Sequence, residues 1–316
     1  MVTTGPDGDS RPAADVDSPP LPRAPSAAEA ALDGDPDFAD PEDGDEAPID
    51  WSWAREDPGW VPPEIDTTIP SAARMYDYAL GGKDNFAVDR DAVDRLAEVF
   101  PDYRHLARAN RNFLVKAVTY MAEEGVSQFI ELGAGIPTSP NVHEVARAVQ
   151  PKAAVVYVDH DPMVLAHIRA LRAVEPGVVA VGQDLRQPKA VLEDPKVRAT
   201  IDFARPVGVL LCAVLQFVRR DLGPRILTQY HRRLVPGSHV ALSVPVADGT
   251  KPEVVRRTEA LFAATATPMV WRSTAQVEQL FEGLNLVSPG LVDVPKWRAD
   301  EECGSVRVLA GVARKP

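Results

Sequence analysis

The stretch "QFIELGAGIPTSPNVHE", Gln128 to Glu144, runs from an apolar strand into a two-glycine turn. Gly133, Ala134 and Gly135 could bring backbone close to a ligand, because glycine puts no Cβ in the way. A lone G-x-G also suits an ordinary tight turn. The dinucleotide fingerprint G-x-G-x-x-G needs a small third residue and free N–H groups for a pyrophosphate. Here Thr138 holds the third position and Pro137 lacks an N–H. Glu131, two residues before the first glycine, repels phosphate but suits an ammonium group. The next apolar run ends in "YVDHDP", where Asp159 is placed to accept from both hydroxyls of a ribose. A third run ends in "GQDLRQP", where Asp184 could accept from the exocyclic amine of adenine. Polar residues at strand ends also cap helices, and Asp161 before Pro162 reads as such a cap.

A ribose, an adenine and an ammonium without phosphate describe S-adenosylmethionine (SAM). The elements that position these groups follow from period. Continuous apolar runs alternate with amphipathic helices from "QFIELGA" to "GSHVALSVPV". That pattern means a mostly parallel sheet covered on both faces. "LNLVSPGLVDV" and "SVRVLAGVAR" have no helix between them, so they predict an antiparallel edge pair. The expected fold is α/β, a doubly wound, mostly parallel, seven-stranded sheet. Residues 127–316 form this Rossmann-like domain, 64–126 a helical lid segment, and 1–63 a disordered acidic tail rich in Pro, Asp and Ala. Trp51, Trp53 and Trp60 close that tail and read as docking on the folded body.

Of 316 residues, 46 are acidic and 34 basic, a net charge of −12. Residues 1–66 carry 18 acids and 3 bases, so the rest holds 28 and 31 and is near neutral. No basic stripe suggests a nucleic-acid partner. Cys212 and Cys303, the only cysteines, make neither a disulfide framework nor a metal site. Cys212, in an apolar run, reads as a small packed hydrophobe. No leader or roughly 20-residue apolar span is visible, and a cytoplasmic protein is the expectation.

"ELGAG", "VDHDPMVL" and "QDLRQP" resemble successive SAM-binding motifs of class I (Rossmann-like) methyltransferases. "SAARMYDYALGGKDNFAVDR", "ARANRNFL" and "WRSTAQVEQLFEGLNLV" are similar to one actinobacterial family of SAM-dependent methyltransferases of unassigned substrate, over about residues 64–316. The resemblance implies that Glu131, Gly133 and Gly135 surround the methionine portion. It implies Asp159 at the ribose, Asp184 and Leu185 at the adenine edge, and Ala213 and Val214 beside the sulfonium. His160 departs from the more usual apolar residue or Asn and would stack beside the adenine or face solvent. "CAVLQFV" stands where amino-methylating nucleic-acid enzymes carry Asn-Pro-Pro-Tyr.

In "RMYDYALGGKDNFAVDR" the expectation is a helix stopped by Gly81-Gly82, with Gly82 turning over the site. Arg74 or Lys83 would meet the SAM carboxylate, and Tyr76 would cover cofactor or substrate. His143, His160, Tyr76 and Gln216 are the candidates for chemistry, Gln216 only to orient a substrate, and none is assigned as a base. The leading reading is a SAM-dependent methyltransferase acting on a small molecule. The alternatives are a SAM-binding regulatory protein without turnover and an NAD(P)-dependent oxidoreductase.

Overall fold

The computed structural model describes residues 65–172, 176–299 and 304–316. The expected acidic tail, its three tryptophans and Cys303 lie outside the described residues. Three helices come first: α1 (Ala72–Leu80), α2 (Ala87–Val99) and α3 (Tyr103–Glu123). Strand and helix then alternate: β1 (Gln128–Leu132), α4 (Val142–Val149), β2 (Ala154–Asp159), α5 (Pro162–Arg172) and β3 (Val178–Gly182). Next come α6 (Pro188–Glu193), α7 (Pro195–Thr200), β4 (Gly208–Cys212), α8 (Gly223–Arg233), β5 (His239–Val246) and α9 (Pro252–Ala263). The chain ends with α10 (Thr274–Glu278), β6 (Asn285–Leu286), β7 (Val292–Asp293) and β8 (Arg307–Arg314).

The sheet runs β3-β2-β1-β4-β5-β8-β6, with β7 also on β8. The first five strands are parallel and β8 enters antiparallel between β5 and β6. The sheet therefore has eight strands, not seven. "LNLVSPGLVDV" does not form one strand, because Pro289 cannot donate to a ladder and Gly290 turns with φ +91°. Two-residue pieces remain on either side. "PKAVLEDPKVRATI" likewise breaks at Asp194-Pro195, where Asp194 caps α7 by accepting from the Lys196 N–H.

Alternation along each strand divides the core. Phe129, Tyr157, Leu210 and Ala241 face α3 and α4, while Ile130, Val156, Val209 and Val240 face α6, α7 and α8. The third N-terminal helix does more than cover a site. It packs on α4, β4, β5 and β8, and it buries Phe113, Leu114, Ala117, Val118 and Met121. Strand order reverses between β1 and β4, so a crevice opens above their C-terminal ends.

Candidate functional site

The crevice holds a cavity of about 510 Å³. Gly133, Ala134, Gly135, Asp159, His160, Asp184, Leu185, Ala213 and Val214 all line it, with Arg74 and Tyr76 from α1. Glu131 lines a smaller pocket with Arg111, which shares Ala134 and Gly135 with the main cavity.

The glycine turn is held by the neighbouring strand, since the N–H groups of Gly133 and Ala134 both donate to the Val158 carbonyl. Gly133 has φ +73°, and a Cβ there would stand 2.3 Å from Val214 Cγ2. The close approach of the β1 and β4 turns thus demands glycine. At Gly135, φ is +66° and a Cβ would meet nothing within 4 Å. The backbone here therefore borders open space. Ala213 adopts φ 52°, held by its N–H donating to Ser243 Oγ at 2.9 Å.

Asp159 is 7 % exposed, and burial holds its carboxyl above the ordinary value despite donors from the backbone. Oδ1 accepts from the N–H groups of His160 and Asp161, and Oδ2 from Gly135 at 3.0 Å. A carboxylate oxygen can accept twice, so Oδ2 keeps one acceptor position. The His160 side chain is more than half exposed at the rim. Asp184 differs from its expected role. Arg186 donates from its backbone N–H and Nε to Oδ1, and from Nε and Nη2 to Oδ2. Burial raises this carboxyl, but the Arg186 bonds outweigh it and hold it below the usual range. Burial pushes the Glu131 carboxyl up to about 7, with Arg111 opposing and Asp159 adding to the shift.

The N-terminal motif folds mostly onto itself. The Arg74 Nε donates to Asp89 at 2.8 Å, and its Nη atoms to the carbonyls of Asp66 and Ile69. Its guanidinium is committed to bracing α1 against α2, not left free for a carboxylate ligand. The Gly81-Gly82 turn does not border the cavity. A Cβ on Gly82 would collide with the Asp77 carboxylate at 1.9 Å, because Asp77 gathers that loop by accepting from Asp84 N–H and Asn85 Nδ2. Lys83 is exposed on the same loop. Tyr76 does border the cavity, with its hydroxyl pushed up to about 12 by burial. His143 packs under the sheet, its Nδ1 2.7 Å from Tyr157 Oη.

Several contributors carried no local signal in the sequence. Arg111 donates from Nη2 to the carbonyls of Thr138 and Pro140, while its Nε is buried without a partner. A buried relay joins the β4 turn to α1. Ser243 donates to Asn110 Oδ1 at 2.5 Å, Asn110 Nδ2 to Tyr76 Oη at 2.9 Å, and Tyr76 to the Ala107 carbonyl at 3.0 Å. Arg272, 1 % exposed, donates to the carbonyls of Leu215 and Val218 and so fixes the turn that carries Gln216.

No protein of curated function matches the chain. A DUF574 family protein from Streptomyces avermitilis is 38 % identical, with a TM-score of 0.76 over 79 % of this chain and 99 % of its own. A candidate methyltransferase from Thermobifida fusca is also 38 % identical, with a TM-score of 0.75 over 81 % of this chain and 99 % of its own. A family described as S-adenosyl methyltransferase matches residues 58–316. With that match and the glycine turn, buried Asp159 and crevice in one place, the chain belongs to the SAM-dependent methyltransferase family.

Proposed function

We propose that the chain transfers a methyl group from SAM to a small-molecule acceptor. The carrying observation is a single cavity of about 510 Å³ that runs from Gly133, Asp159 and Val214 to an apolar end. Small-molecule sites span roughly 300–1,000 Å³. The residue types suit the cofactor. The remaining acceptor position on Asp159 Oδ2 takes a ribose hydroxyl. Glu131 takes the ammonium of the methionine portion, and the Nε of Arg111 its carboxylate. Leu185 and Val214 offer apolar surface to the adenine, with His160 at the rim. Contact between Asp184 and the adenine amine requires Arg186, whose side chain is 51 % exposed, to yield one oxygen.

When bound, SAM supplies an electrophilic methyl group on a sulfonium. The chain's part is to hold the acceptor in line with it, and such positioning supplies much of the rate. Asp159→Ala should weaken SAM binding about 10- to 100-fold, the loss of a hydrogen bond to a charged group worth roughly 1.5–3 kcal/mol. Titration calorimetry with SAM reads this, and an unchanged affinity removes Asp159 from the ribose. Release of S-adenosylhomocysteine only when protein, SAM and acceptor are all present tests turnover. Binding of NADH in place of SAM would overturn the proposal.

Glu131 gives the binding a pH dependence with a definite sign. Its carboxyl sits at about 7 in the folded chain against 4.5 ordinarily. Between those values the unfolded chain has lost the proton and the folded chain keeps it, so stability falls as pH rises through this window. An ammonium beside Glu131 favours the carboxylate, so binding expels the proton. Affinity for SAM should therefore rise from pH 5.5 to 7.5 and level off above. Calorimetry in two buffers of different ionisation heat should show proton release at pH 6. Glu131→Gln should flatten most of this profile, leaving the smaller part due to Asp159, whose carboxyl is raised in the same direction.

A further inference from the structure

The cavity changes character along its length. Among the described residues, every charged side chain in its lining comes from residues 66–74 or from the ends of β2 and β3. The remaining wall, from α2, α3, the turn Leu215–Phe217, α9 and the 266–271 loop, contributes no charged group. These pieces meet closely. α2 packs on α9, the Val270 N–H donates to the Gln216 carbonyl at 2.8 Å, and the Phe217 and Phe262 rings lie 5.7 Å apart. Phe100 and Tyr103 form a second aromatic pair, edge to face at 5.8 Å.

Four side chains in this wall carry a buried polar atom with no partner: Gln216 Oε1, Thr258 Oγ1, Thr267 Oγ1 and Trp271 Nε1. Gln216, Thr258 and Trp271 are 9 %, 3 % and 2 % exposed. Buried polar groups are ordinarily paired. The Gln216 amide is oriented, because Nε2 donates to the Ala213 carbonyl at 2.7 Å and leaves Oε1 as the unsatisfied end. That oxygen stands three residues from the left-handed Ala213 beside the cofactor end.

We infer that the methyl acceptor is an uncharged, largely aromatic small molecule bearing a hydroxyl or neutral N–H. This rests on the SAM reading above. Its ring lies against the aromatic walls, where aromatic pairs favour offset or edge-to-face contact. Its polar group meets Gln216 Oε1, and Thr258 and Trp271 satisfy a second, each after a small turn of the side chain, since these atoms have no open surface in the free chain. A charged acceptor would lose its water with no countercharge in this wall, which disfavours it. In the transfer, a lone pair on the acceptor oxygen or nitrogen forms the bond to the methyl carbon. The carbon–sulfur pair returns to sulfur, and the acceptor's proton passes to water.

The test loads the full chain with S-adenosylhomocysteine and titrates matched probes by calorimetry: 2-naphthol, 6-hydroxy-2-naphthoate and 2-naphthol-6-sulfonate. The neutral probe should bind at least about tenfold more tightly than either anion. Thr258→Val should weaken 2-naphthol about 3- to 10-fold, the range for one lost hydrogen bond. Its Tm should stay level or rise, because the hydroxyl it removes has no partner in the fold. Affinity for S-adenosylhomocysteine should not change. If that ligand binds but the sulfonate binds as well as naphthol, or neither probe binds, or the valine variant binds naphthol unchanged, the acceptor assignment is wrong and the cofactor reading stands. If S-adenosylhomocysteine itself does not bind, both fall.

Discussion

Gly133→Ala is expected to weaken SAM binding by about 100-fold or more. The added methyl would sit 2.3 Å from Val214 Cγ2 and 3.1 Å from its Cβ. Both atoms belong to a side chain that itself lines the cavity, so relief of the clash deforms the site. Alanine at φ +73° adds backbone strain. Strain of this kind costs roughly 1–3 kcal/mol, and overpacking roughly another 1–3 kcal/mol. These costs fall on the free and the bound chain alike; affinity falls because Val214, displaced by the new methyl, must return to its place for SAM to bind, and about 3 kcal/mol spent there corresponds to about 100-fold. Gly135→Ala separates the contributions, because its Cβ would meet no protein atom. It should cost the free protein only strain, yet weaken SAM sharply if the ligand fills that space. Trimming Val214 to alanine beside Gly133→Ala should recover part of the affinity. Calorimetry on the three variants checks the set, and an unaltered Kd for Gly133→Ala would mean that the turn does not hold the cofactor.

Asp89→Ala is expected to be the most destabilising of the substitutions considered. Asp89 is fully buried and accepts from the Ser71 N–H, the Phe86 N–H and Arg74 Nε. Its removal strands a guanidinium that is 4 % exposed at the side chain. Breaking one partner out of a buried pair costs about 3–5 kcal/mol. For a domain of this size that lowers Tm by roughly 10 °C. Arg74→Met paired with Asp89→Leu should restore much of the loss, since apolar replacement of a whole buried pair is often neutral or better. Scanning calorimetry reads both. A Tm within 2 °C of the parent, on a roughly ±1 °C measurement, would show that the pair is not structural.

That Gly133, Asp159 and Val214 share one crevice was legible in the sequence, because strand ends are fixed by period and the crevice by strand order. They come from three separate strand ends and meet where the alternation says they must. "RMYDYALGGKDNFAVDR" was harder. Its crowded polar residues read as ligand contacts, but Asp77 and Asp89 collect most of them to turn one helix into the next. A buried ion pair and a binding arginine look alike until the partner 15 residues away is seen. Asp184 hides a partner in the same way, since Arg186 two residues on occupies its acceptor positions. The acceptor end had no local signature. Gln216 meets the segment around Val270 only through tertiary packing, and Thr258 and Trp271 sit in an ordinary helix and loop. The divided edge strand turned on Pro289 and Gly290, which local apolar pattern outweighed.

The relay from Ala213 to Ala107 has one further consequence, which concerns the polarity of its protons. One end is a backbone N–H, which can only donate, and the other a backbone carbonyl, which can only accept. Each hydroxyl between them has a single arrangement, and so has the Asn110 amide. The chain is a wire that conducts in neither direction without breaking an end. Tyr76, whose proton is already given to Ala107 and whose ionisation lies near 12, cannot take one from an acceptor. The relay therefore adds no titrating group of its own to the β4 turn from mildly acidic to mildly alkaline conditions. A pH profile in that range comes from groups outside the relay, with the raised carboxyls of Glu131 and Asp159 among them.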